Sequence, residues 1–257
     1  MKTPITYYGG KQTLLPHILP LIPEHDRYTE AFCGGAAVFF AKTPAKCEVI
    51  NDINGELIYF YKVAKSNYPA LKERIDTTLH SRSTHAEACH ILAYPCFYAP
   101  VDIAWAVWVR SSQSFASKLD GSFGYDFSGR MPGKVQRAKD RITTELCDRL
   151  EHVTIESEDA LSVIRRYDCP TAFHFVDPPY FNSSCGHYSG LFTEANLSDL
   201  LECLAGIEGK FMLTMYPYDK IVAYATKHGW TIHRIERTIS ASKTGRKRHE
   251  EWIVTNY

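Results

Sequence analysis

No two cysteines stand close together in this chain. The eight thiols fall at positions 33, 47, 89, 96, 147, 169, 185 and 203, with no Cys-x-x-Cys pair and none of the density of a disulfide framework, which suits reduced thiols and a cytoplasmic setting. Long apolar runs are missing as well. The nearest candidate, His17 to Pro23, is short and broken by prolines (Pro16, Pro20 and Pro23), so it reads as neither a signal peptide nor a membrane span. An excess of charge is also lacking, with 29 Lys and Arg against 29 Asp and Glu. Taken alone, that balance argues against a nucleic-acid partner, because phosphate binding needs Lys and Arg. No internal repeat or low-complexity tract is present, which excludes solenoids and arrays.

What is there is a globular composition: 257 residues, 45% hydrophobic and 23% charged, enough for one large α/β unit or a core with an insert. β-type runs recur at Arg27–Ala31, Cys47–Asp52, His152–Ser157, Thr171–Asp177, Lys210–Met215, Trp230–Arg237 and Glu251–Asn256. Amphipathic helical spacing occurs at Leu57–Ser66, Asp159–Tyr167, Glu194–Leu204 and Asp219–His228. Alternation of this kind predicts a mainly parallel sheet.

The alternation stops between about 67 and 150, where helical text is predicted around Val101–Phe115 and Val135–Leu150. Residues 59–150 carry 13 basic and 9 acidic side chains, leaving 16 and 20 elsewhere, so this insert is where an anionic polymer would sit. Arg110, Lys118, Arg130 and Lys134 are its candidate contacts. Within it, Lys118–Tyr125 contains Asp120-Gly121 ahead of alternating aromatics, a hairpin signal, with a surface loop as the alternative.

The most informative string is Asp177-Pro178-Pro179-Tyr180, directly after the apolar run Phe173–Val176. It therefore stands at the carboxyl end of a predicted central strand, the edge where open α/β sheets bind ligands. An exocyclic amino nitrogen is a poor nucleophile because its lone pair is delocalised into the base. Two acceptors aimed at its hydrogens draw it toward tetrahedral geometry. The Asp177 carboxylate and the Pro178 carbonyl, held in direction by two rigid rings, offer such a pair, and Tyr180 can stack on an extracted base.

Four further strings accompany it: Tyr7-Tyr8-Gly9-Gly10-Lys11; Glu30-Ala31-Phe32-Cys33-Gly34-Gly35; Asn51-Asp52-Ile53-Asn54; and Glu158-Asp159-Ala160. Their glycines allow close backbone approach, and an acidic residue at the end of the second strand can accept from ribose hydroxyls. Asp52 could equally cap the helix beginning near Asn54, and Asp159 stands where an N-cap would.

Taken together, over nearly its whole length, the chain resembles the DNA adenine methylases of the D12 class. The resemblance implies a Rossmann-like, doubly wound α/β methyltransferase sheet built from residues 1–58 and 151–257, with 59–150 as an inserted, mainly helical target-recognition domain. It implies S-adenosylmethionine as cofactor and double-stranded DNA as partner, and transfer of methyl to N6 of a flipped adenine. Tyr7, Tyr8, Gly9, Gly10 and Lys11 would line the cofactor, and Glu30, Phe32, Gly34 and Gly35 would belong to the loop around its methionine part. Asp52 and Ile53 would take the ribose side and Asp159 the adenine end, while Asp177 would touch the cofactor as well as the target. Ala31 and Gly35 stand where the family commonly has proline and serine, and both leave the turn feasible.

Other segments invite readings of their own. Phe181–Phe192, polar and glycine-containing with Tyr188 in it, suits a loop closing over a base, and the basic Ser242–His249 suits a phosphate-gripping loop. Pro95-Cys96 resembles the cytosine-C5 nucleophile but lies in the insert, away from any core strand, and His85, Cys89, His90 and Cys96 match no compact zinc spacing. No metal is expected, since transfer from a sulfonium needs none. A monomer is expected, with a restriction endonuclease as a genetic rather than physical companion. Three rivals remain open: RNA base N-methylation, cytosine-N4 methylation, and a noncatalytic DNA-binding protein of the same fold.

Overall fold

The computed structural model describes residues 1–180, 192–239 and 247–257, with the backbone alone at 237–239 and 247–249. Its strands are β1 (Arg27–Glu30), β2 (Cys47–Asn51), β3 (Val153–Glu156), β4 (Ala172–Val176), β5 (Lys210–Met215), β6 (Thr231–Ile239) and β7 (Lys247–Thr255). They form one seven-stranded sheet in the order β3-β2-β1-β4-β5-β7-β6, a Rossmann-like doubly wound α/β arrangement. β1, β4 and β5 run parallel, and β7 enters antiparallel between β5 and β6. The strand order reverses at β1 and β4, so the crevice beyond their carboxyl ends is a topological switch point.

The chain divides into two compact units. One comprises Pro20–Phe32, Ala45–Glu48 and Asp159–Tyr257, with α9 (Ala160–Tyr167), α10 (Glu194–Ala205) and α11 (Asp219–His228). Strand alternation turns Phe211, Leu213 and Met215 of β5 and Trp252 and Val254 of β7 to one face. There they meet Leu197, Leu200, Leu201 and Leu204 of α10, Ile164 of α9 and Ile221 of α11. The α10 leucines recur at three- and four-residue spacing, the stripe a covering helix needs. Each such side chain, buried, contributes roughly 1.5–3 kcal/mol. A capping box starts the helix: Asn196 N–H donates to Thr193 Oγ1 at 3.2 Å, and Thr193 N–H to Asn196 Oδ1 at 2.8 Å.

The other unit comprises Met1–Leu19, Cys33–Pro44 and Val49–Glu158. It is mostly helical: α1 (Leu15–Ile18), α2 (Ala37–Ala41), α3 (Gly55–Ser66), α4 (Tyr68–Asp76), α5 (Arg82–Ala93), α6 (Pro100–Gln113), α7 (Arg130–Lys139) and α8 (Thr144–Leu150). α6 is its axis. Every residue from Ala104 to Gln113 is buried, and the helix packs on α3, α4, α5 and α7. Ala104–Val109 is apolar on all sides, as a buried helix requires, while Arg110, Ser111, Ser112 and Gln113 are buried polar groups. No helix among the described residues is long and apolar enough to cross a membrane.

Three details depart from the sequence-based expectation. Lys118–Tyr125 does not form a hairpin: Gly121 N–H closes a turn onto the Lys118 carbonyl, and one isolated bridge joins Ser114 to Phe123. Phe123, the residue in that bridge, also stacks on His80, with ring centroids 4.7 Å apart. The helical text at Val135–Leu150 breaks at Arg141–Thr143 into α7 and α8, where two consecutive β-branched threonines favour an extended N-cap over helix continuation. Finally, β7 begins at Lys247 and pairs Lys247, Arg248 and His249 with Ile239, Thr238 and Arg237 of β6. Those three basic residues are strand and not loop, because β6 runs on to meet them. The rest of that segment, at 242–246, and residues 181–191, where a closing loop with Tyr188 was expected, lie outside the described residues.

Candidate active site

Each unit carries its own set of the expected residues. In the helical unit the Gly34 loop is pinned from two sides. Asp52, one residue beyond β2, accepts Gly34 N–H on Oδ2 at 2.8 Å and Asn54 N–H on Oδ1 at 2.9 Å. The Tyr61 hydroxyl donates to the Gly34 carbonyl at 3.0 Å. Asn54, not Asp52, caps α3, accepting from Glu56 and Leu57 N–H.

Gly34 has φ +48°, and a Cβ there would lie 3.0 Å from Tyr7 Cδ1; one at Gly35 would lie 3.0 Å from the Ile5 carbonyl oxygen. Glycine meets both conditions at position 34 without strain. Gly10 N–H closes the preceding turn on the Tyr7 carbonyl at 3.1 Å. Lys11 is buried and its ammonium donates to the Gly9 carbonyl at 3.1 Å. The Lys118 ammonium stands 5.1 Å over the Tyr8 ring. Ile53 is 76% exposed, an apolar side chain open to contact beside the Asp52 carboxylate.

In the carboxyl-terminal unit, Glu30 ends β1 in the interior and accepts the Tyr28 hydroxyl at 2.7 Å. Phe32 meets Phe192 edge-on at 6.3 Å. Asp159 is exposed and caps α9, accepting Ser162 N–H at 2.8 Å.

Asp177 follows β4. Because Val176 is registered with Leu213, the next residues are neighbours, and the Thr214 hydroxyl donates to Asp177 Oδ1 at 2.7 Å. Pro178 is buried, while Pro179 and Tyr180 are half-buried. The Tyr180 hydroxyl donates to Glu251 Oε1 at 2.6 Å, and its ring lies 4.4 Å from that of Tyr216, tilted by 59°. Burial first, then the Asp177 and Glu251 carboxylates, push the Tyr180 phenol well above its ordinary pKa, so it remains a donor. The unit thus brings a carboxylate, a proline-stiffened backbone and an aromatic face to the carboxyl ends of β1 and β4.

Sequence reasoning missed Thr214, Tyr216, Glu251 and Tyr61. A signal existed for two of them: Thr214 is a lone hydroxyl within an apolar strand, and Glu251 shares the inward parity of Ile253 and Thr255. In the insert, Arg110 proves to be buried. It donates to Cys89 Sγ at 3.0 Å and to the Gly121 carbonyl at 3.3 Å, so it is packed inside rather than presented to a duplex. His85 bonds Ser114 Oγ at 2.9 Å. Among the described residues no group of three or more His, Cys, Asp or Glu could hold a metal ion.

Residues 7–89 match the family described as D12 class N6 adenine-specific DNA methyltransferase. Among characterised proteins, the type II methyltransferase M1.LlaDCHI of Lactococcus lactis subsp. cremoris is 30% identical over 97% of this chain and 93% of its own length. The type II methyltransferase M.CviBI of Paramecium bursaria Chlorella virus NC1A is 26% identical over 70% of this chain and 69% of its own. The modification methylase StsI of Streptococcus sanguinis is 23% identical over 74% of this chain but only 30% of its own length. Through the family match over residues 7–89 and a relative aligned over almost the entire sequence, this chain belongs to the D12 class of N6 adenine-specific DNA methyltransferases.

Proposed function

We propose that the protein methylates N6 of an adenine flipped out of double-stranded DNA at a defined sequence, with S-adenosylmethionine as the donor. When bound, that cofactor supplies a methyl sulfonium already activated for transfer. Two observations support its fit: a glycine loop in which added Cβ atoms would come within 3.0 Å of Tyr7 and Ile5, and an acceptor-only carboxylate at the end of β2. Tyr7, Tyr8, Gly9, Gly10, Lys11, Gly34 and Gly35 would hold the methionine side, with Glu30 and Phe32 at the end of β1. Asp52 and Ile53 would take the ribose side and Asp159 the adenine end.

The observation that carries the reading is the Asp177 carboxylate. It stands at the switch point, fixed through Oδ1 by Thr214, ahead of two prolines. Asp177 and the Pro178 carbonyl would accept the two amino hydrogens, with Pro179 stiffening the turn and Tyr180 stacked on the base. The chain's part is orientation and electrostatics rather than strong base catalysis. The helices between 59 and 150 would dock the duplex.

The test is a labelled-methyl assay on DNA from a methylation-free bacterium, with matched RNA alongside. Asp177→Ala is expected to lose about 100- to 1,000-fold in kcat, as removal of an electrostatic group at a reacting centre does, while cofactor affinity by calorimetry falls much less. Undiminished turnover by folded Asp177→Ala, or transfer to RNA alone, overturns the reading.

A further inference from the structure

Two side chains on strands outside the tetrapeptide hold it in place. Thr214 and Ile253 face each other in the antiparallel register of β5 and β7. Residues two apart on a strand share a face, so Glu251 projects on the same side as Ile253, and therefore on the side of Thr214. Thr214 is fully buried and Glu251 only 4% exposed. Taking a carboxylate out of water costs several kcal/mol unless it is paired or hydrogen-bonded. Here it accepts the Tyr180 hydroxyl at 2.6 Å, a length typical of a charge-assisted O–H···O⁻ bond. The phenol is kept protonated by burial and by the two neighbouring carboxylates, so it cannot cease to donate at working pH.

A tyrosine used only as a stacking plate has no need of its hydroxyl. Phenylalanine would present the same face. We infer that Glu251 is a positioning residue for methyl transfer. It locks the Tyr180 ring through the hydroxyl while Tyr216 props the ring, as Thr214 locks the Asp177 carboxylate. The inference rests on the reading of Asp177 and Tyr180 as the groups that meet the target base. On that reading, a ring fixed in both tilt and distance sets where the amino nitrogen stands relative to Asp177, and misplacement by about 1 Å lowers rate by roughly 100-fold without loss of binding.

The experiment is a double-mutant cycle on the full chain, read as kcat and KM in the labelled-methyl assay. Tyr180→Phe and Glu251→Ala are each expected to lower kcat about 10- to 100-fold, the range of one hydrogen bond to a charged group, with KM for S-adenosylmethionine nearly unchanged. The double variant should be no slower than the slower single, because both remove the same bond. Glu251→Gln keeps an acceptor and should recover most of the loss. A merely structural glutamate would give losses that multiply in the Tyr180→Phe background. That result, or Tyr180→Phe turning over at the wild-type rate, overturns the inference, and Tyr180→Phe decides the matter even if Glu251→Ala fails to fold. An inactive Asp177→Ala beside fully active Tyr180→Phe and Glu251→Ala defeats this inference alone, whereas an active Asp177→Ala defeats the underlying reading.

Discussion

Gly34 is favoured twice over, by a φ of +48° and by a Tyr7 ring that would stand only 3.0 Å from a Cβ and have to shift to admit it. A left-handed non-glycine residue costs about 1–2 kcal/mol, and Gly34→Ala is expected to lose that much stability in denaturant unfolding. Cofactor affinity measured by calorimetry should fall with it, since the displaced ring borders the loop. A second residue sets a pH dependence. Asp126 accepts the Ser128 hydroxyl at 2.6 Å, with backbone N–H groups of Ser128, Arg130 and Met131 completing its shell, and these bonds lower its pKa to about 2. A depressed folded value means that its contribution is fully present above the unfolded value of 3.8 and is lost as pH falls toward about 2. The difference in thermal midpoint between wild type and Asp126→Ala should therefore be constant above about pH 5 and vanish toward pH 2 in scanning calorimetry. Its exposure to water keeps that difference small.

Elements were legible where pattern and packing agree. α11 and β5 have the bounds their patterns predict, and α3, α9 and α10 differ by a residue or two, because the helices each turn an apolar stripe to a core and β5 is a mostly apolar run buried on both faces. α4 and α5 were not legible: α4 buries only Leu71 and Ile75, and the buried row of α5 is His85, Ala88 and Ile91, so each stripe is too short or too weakly apolar to stand out. The Asp120-Gly121 signal was half right: the turn forms, but pairing around it stops at the single Ser114–Phe123 bridge, so no hairpin extends from it. The tetrapeptide and the Gly34 loop could be read as motifs. Their supports, Thr214, Glu251 and Tyr61, come from distant strands and a helix and are set only by register. Arg110 belongs with these: a helix residue that looks like a phosphate contact in the sequence is buried by the packing of α6. Arg110→Ala would leave the Gly121 carbonyl without that donor. It is expected to cost about 1–3 kcal/mol in unfolding experiments, with no specific change in the salt dependence of DNA binding.

At the scale of the whole molecule, a chain of zero formal charge must bind a polyanion through a local surplus rather than an overall field. The surplus between residues 59 and 150 is four charges, and burial decides which of them can act. Lys134 is held against Ser117 Oγ at 3.0 Å and its pKa is lowered by burial, while Arg130 and Arg137 lie exposed on α7. Each phosphate neutralised contributes about 0.9 to the slope of log K against log salt. A duplex-binding titration by fluorescence anisotropy between about 50 and 200 mM salt should therefore give a shallow slope of only a few units. Arg130→Gln and Arg137→Gln should each weaken binding to all sequences alike and reduce the slope by about one. Arg110→Gln, tested in parallel as a buried charge of the same type, should leave the slope unchanged. If the two exposed substitutions also leave it unchanged, the duplex docks on another surface, and the proposed recognition role of the helices between 59 and 150 fails with it.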